Sequence, residues 1–161
     1  MNTQRKLQLE YIKRVANRLD SLVERFVFVG GATIGLLLTE EGAPDVRETK
    51  DVDIIVEVIG LPKYYQIASQ LRALGFKENK DLICRWVVDD ITVDCMPTDE
   101  KILGFSNKWY REAIQYANDF KIEKDLVIRL ISAPYLIATK LEAFYGRGRF
   151  DYMASHDLTV R

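Results

Sequence analysis

The run DVDIIVEV, residues 51–58, places two carboxylates one residue apart at the head of an apolar stretch. Side chains of a strand alternate between faces, so Asp51 and Asp53 share one face and Val52, Ile54 and Val56 the other. Their Cα atoms should then stand about 6.5 Å apart. Carboxylates at that spacing can converge on one divalent cation or bracket two, as in phosphoryl-transfer sites whose paired ions lie about 3.5–4 Å apart. Mg2+ suits such a place, because it takes a few carboxylates and fills its shell with water and substrate phosphates. A third acid, Asp94, sits inside DDITVDCMP, residues 89–97. There Ile91, Val93 and Cys95 point one way and Thr92, Asp94 and Met96 the other. A mid-strand charge among apolar residues is costly to bury without a partner or a metal. If the two strands are neighbours, Asp51, Asp53 and Asp94 share one metal site. Taken alone, the Asp-x-Asp pair is equally compatible with exposed strand-end charges, and Asp89 and Asp90 read as turn residues.

The second chemical feature is the glycine pair in FVFVGGATIGLLL, residues 26–38. Glycine accepts positive φ and allows close approach of a ligand. A glycine turn feeding a helix presents unpaired N–H groups where a phosphate can bind. A plain strand-to-helix turn explains Gly30 and Gly31 equally simply. They are no Walker A loop, because no Gly-Lys-Ser/Thr follows.

The elements that must position these groups follow from periodicity and punctuation. Met1 to Leu22 reads as a helix, with Leu7, Leu9, Tyr11, Ile12, Val15, Leu19 and Leu22 near helical spacing. Phe26 to Val29 is a short strand, Ala32 to Thr39 a helix and Glu40 to Lys50 a polar loop. Val52 to Val58 is a β-branched strand. A helix opens at Pro62 and ends at Gly75. Strands near Leu82–Val88 and Ile91–Met96 meet at an Asp89-Asp90 hairpin. Lys108 to Ala117 is helical, Phe120–Glu123 and Leu126–Ile131 are short strands, and Ala133 to Tyr145 is a helix with Pro134 in its first turn. The remainder begins as a loop and re-enters a helix near Ser155. This order is that of an α+β protein with a mixed or antiparallel sheet flanked by helices.

The chain has 161 residues and a formal net charge of -1. That length fits a single domain with a proper core. The charge excludes a globally basic nucleic-acid binder, although a local basic patch stays compatible with it. No apolar run approaches the roughly 20 residues of a membrane span, and the polar N-terminus carries no secretory core. Cys84, Cys95 and the single His156 make no zinc spacing. Both thiols are expected to be small buried side chains in a reducing, cytoplasmic setting. Trp109, Tyr110, Tyr116, Tyr64 and Tyr65 read as packing residues, a base-stacking surface being the alternative for the first three.

Taken together, FVFVGGATIGLLL, RETKDVDIIVEV and ITVDCMP resemble the nucleotidyltransferase superfamily, the fold shared with DNA polymerase beta. The pattern there is an apolar strand, Gly-Gly or Gly-Ser, a short helix, an Asp-x-Asp strand and a third acid on a later strand. RETKDVD is similar to the Arg-x-Thr-x-Asp-x-Asp version of the AbiEii-like nucleotidyltransferases, which include toxins of toxin–antitoxin pairs. The C-terminal APYLIATKLEAFYGRGRFDYMASHDL resembles the same group, so the likeness runs from about Phe26 to Leu158. It implies that Gly30 and Gly31 hold the triphosphate, that Asp51 and Asp53 ligate Mg2+, and that Asp94 is the third acid. It implies further that Lys140 contacts phosphate, that Asp157 is a later family acid and that Thr49 shapes the turn into the Asp-x-Asp strand. Two departures stand out. TEEGAPD, residues 39–45, reads as an insertion, and relatives continue past the Ser-x-Asp-Leu segment. The single domain is therefore expected to lack part of the C-terminal helical region of relatives.

On an unbroken helix Lys140, Phe144 and Arg147 fall at i, i+4 and i+7 and share a face if the helix survives Gly146. Arg147 or Arg149 would then join Lys140 in a cationic wall opposite the acids, as a triphosphate and its leaving pyrophosphate require. A solvated face with Lys140 paired to Glu142 is the simpler alternative. His156 and Asp157 are adjacent and would not face each other on a helix. The resulting expectation is a Mg2+-dependent nucleotidyltransferase, with two ions beside bound NTP. It would transfer a nucleoside monophosphate to a hydroxyl of RNA (tRNA included), a protein or a small molecule, with an antitoxin protein as a further partner. A truncated, inactive nucleotide- or antitoxin-binding module is the first rival. An antibiotic-modifying nucleotidyltransferase is the second, and Arg47, Thr49 and the Lys140 segment argue against it.

Overall fold

The computed structural model describes residues 3–38 and 47–148. The inserted-looking 39–45, most of the expected polar loop, and the tail with Ser155, His156 and Asp157 lie outside the described residues. The chain opens with helix α1 (Thr3–Leu19), closed by a 3-10 turn at Asp20–Arg25 that replaces the expected last helical turn. Strand β1 (Phe26–Val29) leads through a 3-10 turn, Gly31–Thr33, into the single-turn α2 (Ile34–Leu37). Then come β2 (Asp51–Val56), α3 (Leu61–Ala73), β3 (Lys77–Glu78), β4 (Arg85–Val88) and β5 (Ile91–Pro97). The short α4 (Glu100–Leu103) and α5 (Tyr110–Gln115) precede the hairpin of β6 (Asn118–Glu123) and β7 (Leu126–Leu130). Helix α6 (Ala133–Ala143) runs on into a π-type turn, Phe144–Gly148.

The seven strands form one mixed sheet in the order β3-β4-β5-β2-β1-β7-β6. The pairs β2–β5 and β1–β7 are parallel and the other neighbours antiparallel. This is the expected α+β architecture with helices flanking the sheet. Alternation divides the strands into two faces. Phe26, Phe28, Val52, Ile54, Val56, Trp86, Val93 and Cys95 face the larger core, completed by Ile12, Val15 and Leu19 of α1 and Tyr64, Ile67 and Leu71 of α3. On the other face Val27, Val29 and Ile55 meet Ile34, Ala113, Ile114 and Leu136 from α2, α5 and α6.

Three local details correct or refine the expectations. The N-terminal half of α1 buries Gln8 and Arg5 rather than Leu7, which is 37% exposed. Gln8 donates from Nε2 to the Arg47 carbonyl at 2.9 Å, so this helix holds the segment that leads into β2. The expected strand 82–88 begins only at Arg85, because the Asn79 side chain accepts from the amides of Asp81 and Leu82 and closes a turn there. The Asp89-Asp90 turn is a two-residue hairpin with φ of 47° and 63°, the left-handed pair that matches strand twist. Asp89 is fixed by Arg18, at 2.6 Å, and by Arg14, which donates to its carbonyl.

The aromatic residues divide. Tyr64 is buried and donates its hydroxyl to the Ile83 carbonyl at 3.1 Å, while Tyr65 is 61% exposed and corrects the packing expectation. Tyr116, also expected to pack, is 54% exposed and stacks parallel on Tyr135, rings 5.7 Å apart. Tyr64→Ala should therefore cost about 3–4 kcal/mol of unfolding free energy, and Tyr65→Ala less than about 0.5 kcal/mol. Urea denaturation of the two variants reads the difference, and equal losses would contradict this packing.

Candidate active site

The antiparallel register of β1 and β2 sets Val29 opposite Asp53, so Gly30 follows directly beside that aspartate. Gly30 has φ of +75°, where an L side chain is strained. A Cβ added there would fall 2.1 Å from Asp53 Oδ2 and 2.8 Å from its carboxyl carbon. The glycine is required both by the turn and by the close seat of the acid. Gly31 stands against the methyl of Thr49, 3.7 Å from an added Cβ. Thr49 Oγ1 accepts from the Asp51 amide at 3.4 Å at the entry to β2. The bend itself is closed by Thr33, whose amide and hydroxyl both donate to the Gly30 carbonyl.

The parallel register of β2 and β5 sets Asp53 opposite Asp94 and Asp51 opposite Thr92. The three acids thus lie on one face of two interior strands, next to the glycine bend at their end, and all three are half-buried. Beyond Asp94 the row continues to Arg85, its antiparallel partner on β4. Arg85 Nε donates to Asp94 Oδ1 at 2.9 Å and a terminal guanidinium nitrogen to Oδ2 at 3.0 Å, a two-point clamp. The bonds to Asp94 push the Arg85 guanidinium further above its ordinary range, so it stays charged at any working pH. Sequence reasoning missed Arg85. A signal was present: a two-residue turn at Asp89-Asp90 pairs Val88 with Ile91 and, three residues further along each strand, Arg85 with Asp94.

Both cysteines border this region. Cys95, on β5, is buried in the larger core, as expected, and burial pushes its thiol up to about 12. Cys84 is only half-buried and precedes β4; burial first, then the field of Asp94, raises its thiol.

The three acids share a face without closing into a metal cluster. Among the described residues no three His, Cys, Asp or Glu side chains are gathered into a group that could hold an ion. Arg85 bonds both oxygens of Asp94. Asp51 and Asp53 remain, aligned on one face, with Asp53 Oδ2 lying in the space that a side chain at Gly30 would fill. Two carboxylates on one face match what Mg2+ takes when water and substrate complete its shell.

Helix α6 starts at this same end of the strands, since β7 runs parallel to β1 and the Ile131 amide donates to the Phe28 carbonyl. Its Leu136 packs on the acid-bearing face of the sheet. Lys140 is half-buried on that helix, and Glu142 pairs with Lys108 at 3.5 Å. The expected face of Lys140, Phe144 and Arg147 required the helix to continue through Gly146, and the backbone there continues as a π-type turn. The α-helix ends at Ala143 and the π-type turn through Gly146 changes the spacing. The side chain of Arg147, with Arg149 and Asp157, lies outside the described residues.

No family model and no curated protein matches the sequence. Solved structures do match the fold. An antigenic nucleotidyltransferase-like protein from Paracoccidioides brasiliensis aligns with a TM-score of 0.55 at 18% identity, over 95% of this chain and 74% of its own. The structure of ANT(2'')-Ia in complex with adenylyl-2''-tobramycin aligns with a TM-score of 0.54 at 15% identity, over 96% and 87%. The solution structure of the antibiotic-resistance factor ANT(2'')-Ia gives 0.53 and 15%, over 97% and 83%. The chain therefore has the nucleotidyltransferase fold.

The two glycines should respond differently to a methyl group. Gly30→Ala is expected to cost roughly 1–3 kcal/mol, from left-handed strain and the displaced Asp53. Gly31→Ala, in ordinary contact only, should cost less than about 0.5 kcal/mol. Urea titrations of the pair test this. The Cys95 thiol titrates from 9.0 when unfolded to about 12 when folded. Its contribution to stability is thus complete below pH 9 and declines as pH rises towards 12. Alkylation of the native protein at pH 8 should accordingly modify Cys84 before Cys95, and equal rates would contradict the burial.

Proposed function

We propose that this protein is a Mg2+-dependent nucleotidyltransferase that moves a nucleoside monophosphate from NTP to an acceptor hydroxyl and releases pyrophosphate. The observation that carries the reading is the seat of Gly30 on Asp53, within the row Asp51, Asp53, Asp94. Phosphate-holding and cation-holding groups are thereby adjacent, on a fold of the nucleotidyltransferase type.

In this reading the turn at Gly30 and Gly31 cradles the β- and γ-phosphates, and Asp51 and Asp53 hold Mg2+. Bound there, the ion would supply Lewis-acid polarisation of the phosphoryl oxygens and alignment of the triphosphate. Asp94, the third acid, retains lone pairs beyond the two that Arg85 uses. It orients the acceptor hydroxyl and accepts its proton as the new P–O bond forms and the bond to pyrophosphate breaks. Lys140 of α6, joined by Arg147, would offset the charge of the departing pyrophosphate, and Asp157 would act as the later family acid. A reducing, cytoplasmic setting fits such chemistry; none of the described helices is long and apolar enough to cross a membrane.

The likeness of Arg47, Thr49, Asp51 and Asp53 to the AbiEii-like pattern supports an RNA end, tRNA included, as acceptor. It also supports a toxin role with an antitoxin partner. The fold similarity to ANT(2'')-Ia, a structure determined with an adenylylated antibiotic, favours a second reading with a small-molecule hydroxyl as acceptor. One assay separates them: each NTP labelled at its α-phosphate, with Mg2+ and either total RNA or tobramycin. Label is expected on one acceptor and should fall at least a hundredfold in the Asp51→Asn/Asp53→Asn double variant. Mg2+-dependent NTP binding without any transfer would leave a binding module instead, and undiminished transfer in the double variant would overturn the mechanism.

A further inference from the structure

Arg85, Asp94, Asp53 and Val29 lie on successive strands β4, β5, β2 and β1, in direct register across one sheet face. Asp53 and Asp94 are like charges on neighbouring strands, an arrangement that is unfavourable unless offset. Arg85 supplies an offset, bonding Asp94 through both carboxylate oxygens. The guanidinium plane matches the carboxylate in two places, which Lys could not reproduce. The clamp is partly shielded, with the Arg85 and Asp94 side chains 34% and 18% exposed, so solvent screens it less than a surface pair.

We infer that Arg85 is a positioning residue that withdraws Asp94 from cation binding, so that the site presents two carboxylates, Asp51 and Asp53, to a single divalent ion before nucleotide arrives. The inference rests on the proposed cation role of Asp51 and Asp53, and it departs from the expectation that all three acids ligate metal. It gives Asp94 a fixed orientation towards the acceptor side while keeping its negative charge. The clamp also prevents a free trio of carboxylates from trapping an ion without substrate, because affinity grows with the number of charged ligands.

Mn2+ serves as the probe, read by electron paramagnetic resonance of the free ion without nucleotide, so that no turnover enters the measurement. Arg85→Met should bind Mn2+ about tenfold more tightly than the natural chain, because a third carboxylate is released and a positive charge removed. Arg85→Lys, which keeps the charge but not the fork, should fall between the two. Arg85→Met/Asp94→Asn should return to the original affinity. Circular dichroism and thermal melting establish that each variant is folded; if Arg85→Met is not, the Arg85→Lys comparison decides. Unchanged affinity in Arg85→Met, or a gain that survives in the double variant, would overturn the inference. Asp51→Asn and Asp53→Asn distinguish the two levels. If they abolish binding while Arg85 variants change nothing, only the Arg85 inference fails. If Mn2+ binding ignores Asp51 and Asp53, or occurs in no variant at all, the cation role itself fails and the inference with it.

Discussion

The pairing of Asp53 with Asp94 across two parallel strands is the constraint on which the rest of this structure depends. Two carboxylates in register repel, and a core strand would ordinarily avoid them. The sheet keeps them there because the opposite face of the same strands is strongly apolar. Val52, Ile54, Val93 and Cys95 are each no more than 1% exposed, beneath α1 and α3. A slip of one residue would exchange the faces and bury the charges, so the core fixes the register and the register fixes the acids. Arg85 then offsets that repulsion through its two-point bond to Asp94.

The same register explains the glycine. Because β1 runs antiparallel to β2, the end of β1 arrives at the beginning of β2, and the chain must turn directly beside Asp53. Only a residue without Cβ, able to take φ of +75°, can make that turn without pushing the carboxylate away. Strand β7, parallel to β1, delivers α6 to the same end. Three connections therefore converge at one end of the sheet: the Gly30 bend, the Thr49 entry to β2 and the start of α6.

Much of this was legible in the sequence, and the missing parts share a cause. Period-two alternation gave the correct faces for Asp51, Asp53 and Asp94, and four apolar residues before a glycine pair gave β1 to the residue. Composition and order gave the α+β class. Strand order was not legible, because parallel pairing of β2 with β5 and β1 with β7 is decided by contacts distant in sequence. Arg85 escaped notice because a run of residues 82–88 looked like one strand, when its first half is a turn held by Asn79. The burial of Gln8 in place of Leu7 was equally hidden, since its partner is a carbonyl 39 residues away. The face proposed for Lys140, Phe144 and Arg147 assumed a regular helix where a π-type turn intervenes.

The central claim is that the acid row and the glycine bend form one site for a nucleotide triphosphate. A crystal structure with Mg2+ and a non-hydrolysable NTP analogue tests it most directly. The account predicts the β- and γ-phosphates against the backbone of Gly30 and Gly31, with an ion between them and the carboxylates of Asp51 and Asp53. A triphosphate bound elsewhere on the molecule, with those two carboxylates facing solvent alone, would contradict it.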